Sequence, residues 1–440
     1  MNDKIISYIE NKIAPFAAKL SNNRYLSSIK DAFDYITPFL IVGSFILLIF
    51  NLPFKDENSF LYIEWYDNFT AAFSGHFIQI FNVSMGLLSL FIAYGIGYSL
   101  AASYNLSSVT GGFLSLFAFL IISAKVSALS VSEDFAGIFL VEAASNINVL
   151  DARFLGAEGI FSAIIGGIIS IEIYRSLVSK KMTIKLPDSV PPAIAKSFEI
   201  IIPIAVVGIL FQIINIIIQK KLLMLTSKLI DNITSPLLSM SDSLALVIIL
   251  LLIIHILWFV GIHGANVINA IISIITLSNL ALNQAALQAG EAFPKVVAGE
   301  FFNVYVYIGG AGATLGLAIA MALSKNEHLK SIGRVSIIPG IFNINEPIMF
   351  GTPIVMNPIL FIPFICVPII NAVIAYTVLK IGIVGKIIAL VTWTTPGPLG
   401  ALIASNFNIP AMVLSLCLVL LSYLIYTPFI NAYAKTLQDN

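Results

Sequence analysis

The sequence has few charged residues and no excess charge of either sign. Of its 440 residues 10% are charged, and 23 lysines and arginines balance 23 aspartates and glutamates. Soluble domains carry about 25% charged residues. So few charges cannot cover a soluble surface of this size, and no polar stretch is long enough to form a separate soluble domain. Without a basic run or patch, nucleic-acid binding is also excluded.

Cysteine is almost absent. Cys366 and Cys417 are the only two, which excludes a framework of several disulfides, and their positions lack the spacing of a metal site. Both lie within apolar runs, so we expect them to be small buried apolar residues. The glycine-rich run 309–316 lacks the Lys-Ser/Thr ending of a phosphate loop. We expect it to form a helix-packing face, and we predict neither a cofactor nor a metal.

Apolar residues make up 58% of the chain, and the mean hydropathy is +0.97. Apolar runs of the length that crosses about 30 Å of hydrocarbon recur along the whole chain. The sequence therefore predicts an all-α integral membrane protein with about ten transmembrane helices. We place them near 31–51, 78–103, 108–130, 158–178, 197–219, 243–262, 302–324, 357–379, 383–404 and 410–432.

Basic residues predict the orientation. The first 30 residues carry five lysines or arginines against two acids, and 174–196 carry five against one, so we expect both on the cytoplasmic side. The acid-rich segments 52–70 and 131–158 are expected outside. Residues 3–24 are typical of an amphipathic helix on the membrane rather than of a cleavable signal. With ten spans both termini are cytoplasmic, although this count places the basic segment 325–335 outside, a conflict that stays open.

Three segments interrupt the pattern of spans. Residues 221–242 combine lysines with apolar residues at helical spacing, which predicts an amphipathic linker between an N-terminal half, 1–220, and a C-terminal half, 243–440. Residues 263–300 and 336–356 are apolar but contain Gly, Asn and Pro, which favours re-entrant hairpins or broken helices. Such backbone at membrane depth either is buried in protein or lines a cavity, so these segments point to the substrate site.

The candidate site centres on Glu346, a carboxylate within an uncharged tract and directly before Pro347. A buried carboxylate is costly unless something binds it, and the proline moves Glu346 away from helical geometry. Asn345 adds an amide at the same place. We favour a cavity-facing acceptor for a polar solute; the alternative is a glutamate paired for packing.

A second candidate is His263, which lies between Gly261 and Gly264 at the end of a span, where its ring nitrogens would be free to bind a hydroxyl. Trp258 and Trp393 offer flat faces on which a sugar ring could rest, although either could be an interfacial anchor. His255, central in an apolar run, could be a core histidine or a ligand contact. For Glu300 we expect a helix-end contact.

These motifs resemble a known family. The string NEPIMFGTP at 345–353 with VMNP at 355–358 is similar to the signature of the sugar-specific membrane component IIC of the bacterial phosphotransferase system, in its lactose, cellobiose and diacetylchitobiose branch. PPAIAKSF at 191–198, GIHG at 261–264, the glycine-rich run and ITPFLIVGSF at 36–45 also resemble that branch. The resemblance covers essentially the whole chain.

The resemblance implies ten transmembrane helices with two re-entrant hairpins and amphipathic helices. It also implies a homodimer formed through the N-terminal half and a sugar site mainly in the C-terminal half. It assigns Glu346 and His263 to the sugar hydroxyl that becomes phosphorylated, with Trp258 nearby. We add Asn345 and Trp393 as candidate sugar contacts.

The resemblance further implies a bacterial cytoplasmic membrane and a phosphoryl donor. The chain has no soluble domain and no cysteine outside its apolar runs, so we expect a separate IIB protein carrying a phosphocysteine, supplied by IIA, HPr and enzyme I. The implied function is transport of a β-linked disaccharide, cellobiose or diacetylchitobiose, with direct phosphoryl transfer to its 6-hydroxyl. Glu346 is then a candidate general base, oriented with His263. Whether the chain counts as an enzyme itself stays open.

Two other functions compete with this one. An ion-coupled secondary transporter would use Glu346 to bind a proton or cation and would deliver unmodified sugar. A membrane protein without transport would leave the polar groups of both broken segments without a purpose. A membrane protein without transport would accumulate no solute, whereas both kinds of transporter would.

Overall fold

A computed structural model of the chain describes residues 22–55, 62–131, 146–184, 198–352 and 357–437, with a few single positions between them. The predicted amphipathic helix at 3–24 and the string at 191–197 lie outside the described residues apart from single positions, as do Pro353, Val355 and Met356. Helices dominate, as the sequence predicts. In chain order they are α1 (Arg24–Ile49), α2 (Glu64–Ser84), α3 (Leu88–Ser103), α4 (Ser108–Ser123), α5 (Ile160–Ser179), α6 (Ile201–Leu222), α7 (Thr226–Met240), α8 (Leu244–Phe259), α9 (Gly264–Ala289), α10 (Thr314–Ala322), α11 (Glu327–Ile341), α12 (Glu346–Gly351), α13 (Pro358–Lys380), α14 (Gly397–Ala404) and α15 (Ile409–Thr436).

Seven of the described segments are long and apolar enough to cross a bilayer by length and composition. They are Arg24–Ile49, Glu64–Ser103, Ala157–Ser179, Ile201–Leu222, Gly264–Ala289, Ile359–Lys380 and Ile409–Thr436. Two shorter apolar helices, Ser108–Ser123 and Leu244–Phe259, accompany them. The all-α membrane class is confirmed, whereas the count of ten spans and the two hairpins stay predictions.

The helices form two compact units. Unit A comprises 27–38 and 82–236, and unit B comprises the rest, including 39–81 and 237–440. The predicted functional division at 1–220, 221–242 and 243–440 stays a prediction. Within its middle segment α7 is a helix, with Ile233 and Met240 exposed.

In unit A, small residues let helices approach closely. A Cβ on Gly97 of α3 would lie 2.3 Å from the Gly111 carbonyl oxygen of α4, and one on Gly167 of α5 would lie 2.7 Å from Ser115 Oγ. Glycine at these crossings replaces side-chain packing by backbone packing, as in many membrane helix pairs.

A short hairpin follows α4. Strands β1 (Val126–Ser130) and β2 (Asn146–Leu150) pair antiparallel, with Val126 opposite Leu150 and Ser130 opposite Asn146. The predicted span at 108–130 is therefore too long, because its helix ends at Ser123 and the chain continues as an extended strand.

In unit B only some of the breaks lie where the sequence predicts them: the chain is interrupted within 336–356, between α11 and α12, as predicted. The segment 302–324, predicted to be one span, contains a π-helical turn, Phe302–Val306, then a non-helical loop, and only then α10. The segment 383–404 is likewise irregular up to α14. Apolar composition alone suggested both spans, and composition does not report how the backbone is hydrogen-bonded.

Conversely, 263–300 contains an unbroken helix. Helix α9 runs for 26 residues and has the length and composition of a span, and the segment becomes irregular only after Ala289, so a hairpin or broken helix at 263–300 stays a prediction. Its polar side chains bind other segments instead of interrupting their own helix: Asn283 Nδ2 donates to the Lys295 and Ile387 carbonyls, both at 2.9 Å. Gln284 Nε2 donates to the Ile388 carbonyl at 3.0 Å. Helix α9 thus fixes two irregular segments of unit B.

The expectation of two buried cysteines is wrong. Cys366 on α13 and Cys417 on α15 are free and exposed. Exposed apolar residues are ordinary on a helix whose outer face meets lipid, so burial was the wrong inference from apolar neighbours.

Candidate functional site

A tight turn between α8 and α9 positions His263. Gly261 ends α8 with φ of 81°, a left-handed conformation that glycine adopts without cost. The Ile262 N–H donates to the Leu257 carbonyl at 2.9 Å, which closes the turn. Gly264 follows, and a Cβ there would lie 2.0 Å from the Ile254 carbonyl oxygen. The glycines flanking His263 therefore let α9 fold back against the end of α8.

His263 is the N-cap of α9. Its Nδ1 accepts from the Asn266 backbone N–H at 3.2 Å. Nδ1 is therefore an acceptor, and in the neutral ring the proton lies on Nε2. The prediction that both ring nitrogens are available is thus wrong, since the cap occupies one. The other remains as a donor for a ligand oxygen.

Trp258 packs directly on His263, with ring centroids 4.4 Å apart. The indole is 5% exposed, and its Nε1–H has no hydrogen-bond partner among the described residues. A buried unpaired donor costs about 1–3 kcal/mol. Indole N–H groups in buried places normally find a partner, so an oxygen of a bound ligand would satisfy this one.

His255 is a core histidine. It is fully buried, its Nδ1 lies 2.7 Å from the Leu251 carbonyl oxygen, and its Nε2 accepts from the Gly312 N–H at 3.0 Å. Both ring nitrogens are therefore used inside the protein. Of the two interpretations of His255, the structure favours the packing role.

The glycine-rich run is a loop rather than a helix face. Gly309, Gly310 and Gly312 have φ of 94°, 96° and 88°, and Ala313 has φ of 54°. The prediction of a helix-packing face is wrong for these residues, because four left-handed positions cannot continue a helix. It holds for Gly316 in α10, where a Cβ would lie 2.5 Å from Ser422 Cβ of α15.

Two asparagines bind this loop to the Glu346 segment. The Gly309 N–H donates to Asn343 Oδ1 at 2.9 Å, and Asn345 Nδ2 donates to the Ala311 carbonyl at 3.0 Å. Both side chains are buried, with 6% and 7% exposure. A Cβ on Gly310 would lie 2.7 Å from Asn345 Cγ, so glycine is required for this approach.

Glu346 begins helix α12 directly after Asn345, with Pro347 in the first turn. Its side chain is exposed, and within the described ranges no hydrogen bond or ion pair involves its carboxylate. The carboxylate lies close enough to His263 to interact with its ring electrostatically. The structure thus places the Glu346 carboxylate within electrostatic range of the His263 ring.

Trp393 belongs to the irregular segment before α14. Its carbonyl accepts from Asn343 Nδ2 at 2.7 Å, and the Thr395 carbonyl accepts from the same amide at 3.2 Å. The Trp393 side chain is 55% exposed. The backbone bonds place it beside the Asn343–Glu346 segment, and its exposed ring is free to stack on a ligand.

Glu300 lies just before the π-helical turn. Its Oε2 accepts a short hydrogen bond from Asn303 Nδ2 in the first turn of that element, in keeping with the expected helix-end contact. The Tyr305 and Tyr307 hydroxyls that follow are buried without partners among the described residues. π-helical turns are frequent at functional sites, and this one packs against α13, α14 and α15.

Sequence reasoning missed the residues that hold the site together. Asn343 links the glycine loop, the Glu346 segment and the Trp393 segment through three hydrogen bonds. Asn343 follows Phe342 at the end of α11 and has a left-handed backbone, with φ of 62°, which asparagine tolerates. An asparagine where a helix ends is the signal that the sequence offers for this residue. Across the part of the chain that the structure describes, no three His, Cys, Asp or Glu residues cluster as metal ligands.

Comparison with known proteins supports the resemblance. The model of the family described as "Phosphotransferase system, EIIC" matches residues 30–368. The cellobiose-specific EIIC component of Geobacillus stearothermophilus is 34% identical over 98% of this chain and 95% of its own length. The lactose-specific EIICB component of Staphylococcus aureus is 32% identical over 100% of this chain and 74% of its own length.

A solved structure is also similar throughout. It is the transporter ChbC, the IIC component of an N,N'-diacetylchitobiose-specific phosphotransferase system, which is 35% identical and covers 98% of both chains. The TM-score is 0.87. The similarity therefore covers nearly the whole of both chains.

Proposed function

This chain belongs to the EIIC family of the phosphotransferase system, and from that premise we propose that it carries a β-linked disaccharide, cellobiose or diacetylchitobiose, across the membrane for phosphorylation at the 6-hydroxyl. The family makes it a multi-pass membrane component of a sugar permease. The relatives are named for different sugars at nearly equal identity, so identity does not choose the substrate. A few side chains of the site must therefore select the sugar.

The observation that carries the proposal is the meeting of unused polar groups at one place. His263 Nε2 is left as a donor by the capping bond of Nδ1, and Trp258 Nε1–H beside it has no partner among the described residues. Glu346 supplies an unpaired acceptor nearby. A sugar hydroxyl both donates and accepts, so it can satisfy the carboxylate and a ring N–H together.

In the proposed reaction the sugar 6-hydroxyl donates its hydrogen bond to the Glu346 carboxylate, while His263 Nε2–H orients the same oxygen. The oxygen attacks the phosphorus of the IIB phosphocysteine, the S–P bond breaks, and the cysteine leaves as a thiolate. Glu346 takes the proton of the hydroxyl. Catalysis of such transfers rests mainly on positioning and charge stabilisation.

The partners follow from the same proposal. We assign the phosphoryl supply to a separate IIB protein fed by IIA, HPr and enzyme I; the name of the lactose relative joins EIIC and EIIB in one chain, and its length extends beyond the matched region. A homodimer through 1–220, cytoplasmic termini and sugar contacts from Asn345 and Trp393 remain parts of the proposal. For Asn345 the bond to Ala311 favours a positioning role beside any contact.

The test is uptake of labelled cellobiose and diacetylchitobiose into sealed vesicles containing the protein, with and without phosphoenolpyruvate and the soluble proteins including IIB. Products are resolved by mass. We expect sugar 6-phosphate inside only with the complete phosphoryl chain, and the faster sugar names the substrate. Free sugar that accumulates and is lost on adding a protonophore would instead establish the ion-coupled alternative.

Glu346→Gln tests the base. Glutamine keeps the size and one acceptor oxygen but cannot take the proton, so we expect sugar binding to change by less than about tenfold. Phosphorylation should fall by about 10²–10⁴-fold, the usual contribution of a general base. Binding is measured by titration calorimetry and transfer by sugar-phosphate formation. Unimpaired transfer would remove Glu346 from the chemistry.

A further inference from the structure

A partly open cavity with polar and apolar walls lies apart from the Glu346 site, between the end of α1 and α2. Its volume is about 370 Å³, and the residues that line it include Phe50, Asn51, Lys55, Asp67, Thr70 and Gly75. Cavities that hold small molecules have about 300–1,000 Å³. All the lining residues belong to unit B, in the part 39–81. The space is therefore large enough for one small ligand.

One basic and one acidic side chain line the cavity without forming an ion pair with each other. Lys55 Nζ donates to Asn51 Oδ1 at 3.1 Å and to the Phe50 carbonyl at 3.4 Å. Among the described residues neither Lys55 nor Asp67 forms an ion pair, although both line the same space. Opposite charges that stay separated across a cavity leave donors and acceptors for something between them.

The walls are held in place on both sides. The Tyr66 hydroxyl of α2 donates to the Ile49 carbonyl and accepts from the Leu52 N–H, which fixes the end of α1 against α2. The Phe50 ring stacks on Phe69 and Phe77 at centroid distances of 5.5 and 5.7 Å. The space is therefore a feature of packed elements rather than of a loose end.

Gly75 borders the open space. It lies within α2 and is exposed, and a Cβ there would meet no described heavy atom within 4 Å. Glycine in a helix interior is destabilising by about 1 kcal/mol relative to alanine. A larger side chain at this position would therefore have room to enter the cavity.

We propose that this cavity is a second, peripheral carbohydrate-binding site that receives the disaccharide before the Glu346 site does. The ligand class is a neutral sugar, because Lys55 and Asp67 line the same space with charges that cancel, so the lining favours neither an anion nor a cation. Amide, ammonium, carboxylate and hydroxyl groups together match the mixed donors and acceptors of sugar hydroxyls. Lys55 and Asp67 belong to the segment 52–70, one of the two predicted to lie outside, where sugar enters. The inference rests on the proposed function for its choice of sugar.

The experiment fills the cavity without touching its polar groups. In Gly75→Leu the new side chain enters the open space, and leucine favours helix, so folding is not impaired. Ala72→Leu is the matched control, since Ala72 lies one turn earlier on α2 and is exposed but outside the lining. Asp67→Asn removes the anion alone.

Equilibrium dialysis of labelled cellobiose and diacetylchitobiose against the purified full chain counts binding sites. We expect a weaker second class of sites in the wild type and in Ala72→Leu that is absent in Gly75→Leu. For Asp67→Asn we expect this class to weaken about fivefold, the effect of losing one hydrogen bond of ordinary strength. In vesicle uptake from the outer side, Gly75→Leu should raise KM about fivefold and leave kcat unchanged.

One class of sites in all variants, with unchanged KM in Gly75→Leu, would overturn the inference. Binding of inorganic phosphate or of phosphatidylglycerol vesicles at this cavity in place of sugar would also overturn it. Dialysis does not depend on phosphorylation. A wild type that binds two sugars but forms no sugar phosphate would therefore contradict the proposed function and leave the peripheral site standing.

Discussion

Replacing Asn343 by alanine should damage both the stability of unit B and the proposed sugar site. Asn343 accepts from the Gly309 N–H at 2.9 Å and donates to the Trp393 and Thr395 carbonyls at 2.7 and 3.2 Å. Its backbone is left-handed, with φ of 62°. Alanine removes all three bonds and also adopts this φ less readily than asparagine.

The magnitude follows from the burial of the groups left behind. The Gly309 N–H is buried, and without an acceptor it costs about 1–3 kcal/mol. Trp393 and Thr395 are less buried, so water can satisfy their carbonyls and their contribution is small. The left-handed backbone adds about 1 kcal/mol for alanine. We therefore expect a loss of about 2–4 kcal/mol in the free energy of unfolding.

The functional loss has a different origin. Asn343 lies three residues before Glu346 and fixes the Trp393 segment beside it. A shift of about 1 Å in a positioned group can reduce catalytic efficiency about 10²-fold. We expect Asn343→Ala to weaken sugar affinity at least about tenfold and phosphoryl transfer by about 10²-fold. Equilibrium unfolding in mixed SDS micelles gives the stability, and calorimetry gives the affinity.

Two matched variants separate the causes. Asn343→Gly also loses the side chain but adopts positive φ freely, so it should be about 1 kcal/mol more stable than Asn343→Ala. Asn343→Asp keeps the acceptor for Gly309 but turns a second oxygen toward the Trp393 and Thr395 carbonyls, so it should keep the Gly309 bond and be destabilised by repulsion at the Trp393 segment. If Asn343→Ala costs less than about 0.5 kcal/mol, the Gly309 N–H does not depend on Asn343 and the reasoning fails.

Two further substitutions test single groups. Trp258→Phe removes the indole N–H that is unpaired within the described residues, so it should leave the stability of the sugar-free protein within about 1 kcal/mol and weaken sugar binding about fivefold to tenfold. Calorimetry and unfolding check the two parts, and equal affinity would show that no sugar oxygen reaches the indole. Glu300→Leu should destabilise the protein by about 1–3 kcal/mol, because it strips the Asn303 amide of its acceptor, whereas Glu300→Gln should cost less. Equal unfolding free energies for the two variants would refute a role of that hydrogen bond.

The uninterrupted spans could be predicted from the sequence. The predicted segments 158–178, 197–219 and 410–432 correspond to α5, α6 and α15. In these the apolar run and the helix coincide, because every backbone group is satisfied within the helix itself and the membrane requires that. Such segments need no information from elsewhere in the chain.

The irregular segments could not be predicted in this way. The loop at 307–313 lies in an apolar run, yet its peptide groups bind distant side chains: Gly312 alone bonds His255 and Tyr426. Helix α9 is a related case, since asparagines in 263–300 favoured a break, yet Asn283 binds neighbouring segments from within an unbroken helix. Hydropathy records how polar a residue is, and it does not record which partner satisfies it.

For the site, the sequence identified the chemical groups and missed their supports. Glu346, His263 and Trp258 stand out as polar or aromatic residues at breaks, and the structure brings His263 onto Trp258 and near Glu346. The capping role of His263 Nδ1 depends on the geometry of the turn, which the sequence pattern does not give. Asn343 joins three segments through hydrogen bonds to residues about 50 positions away in the sequence. A local sequence pattern holds no information about such distant contacts.

The supports constrain how the site can move. The glycine loop, the Glu346 segment and the Trp393 segment are joined by four amide hydrogen bonds from Asn343 and Asn345. A motion that separated them would leave the buried Gly309 N–H and Asn345 amide unpaired, at about 1–3 kcal/mol for each. A motion that carries the three segments together breaks none of these bonds. The proposed transport therefore favours movement of the three segments as one body, with the changes in backbone angle placed outside residues 309–346 and 393–395.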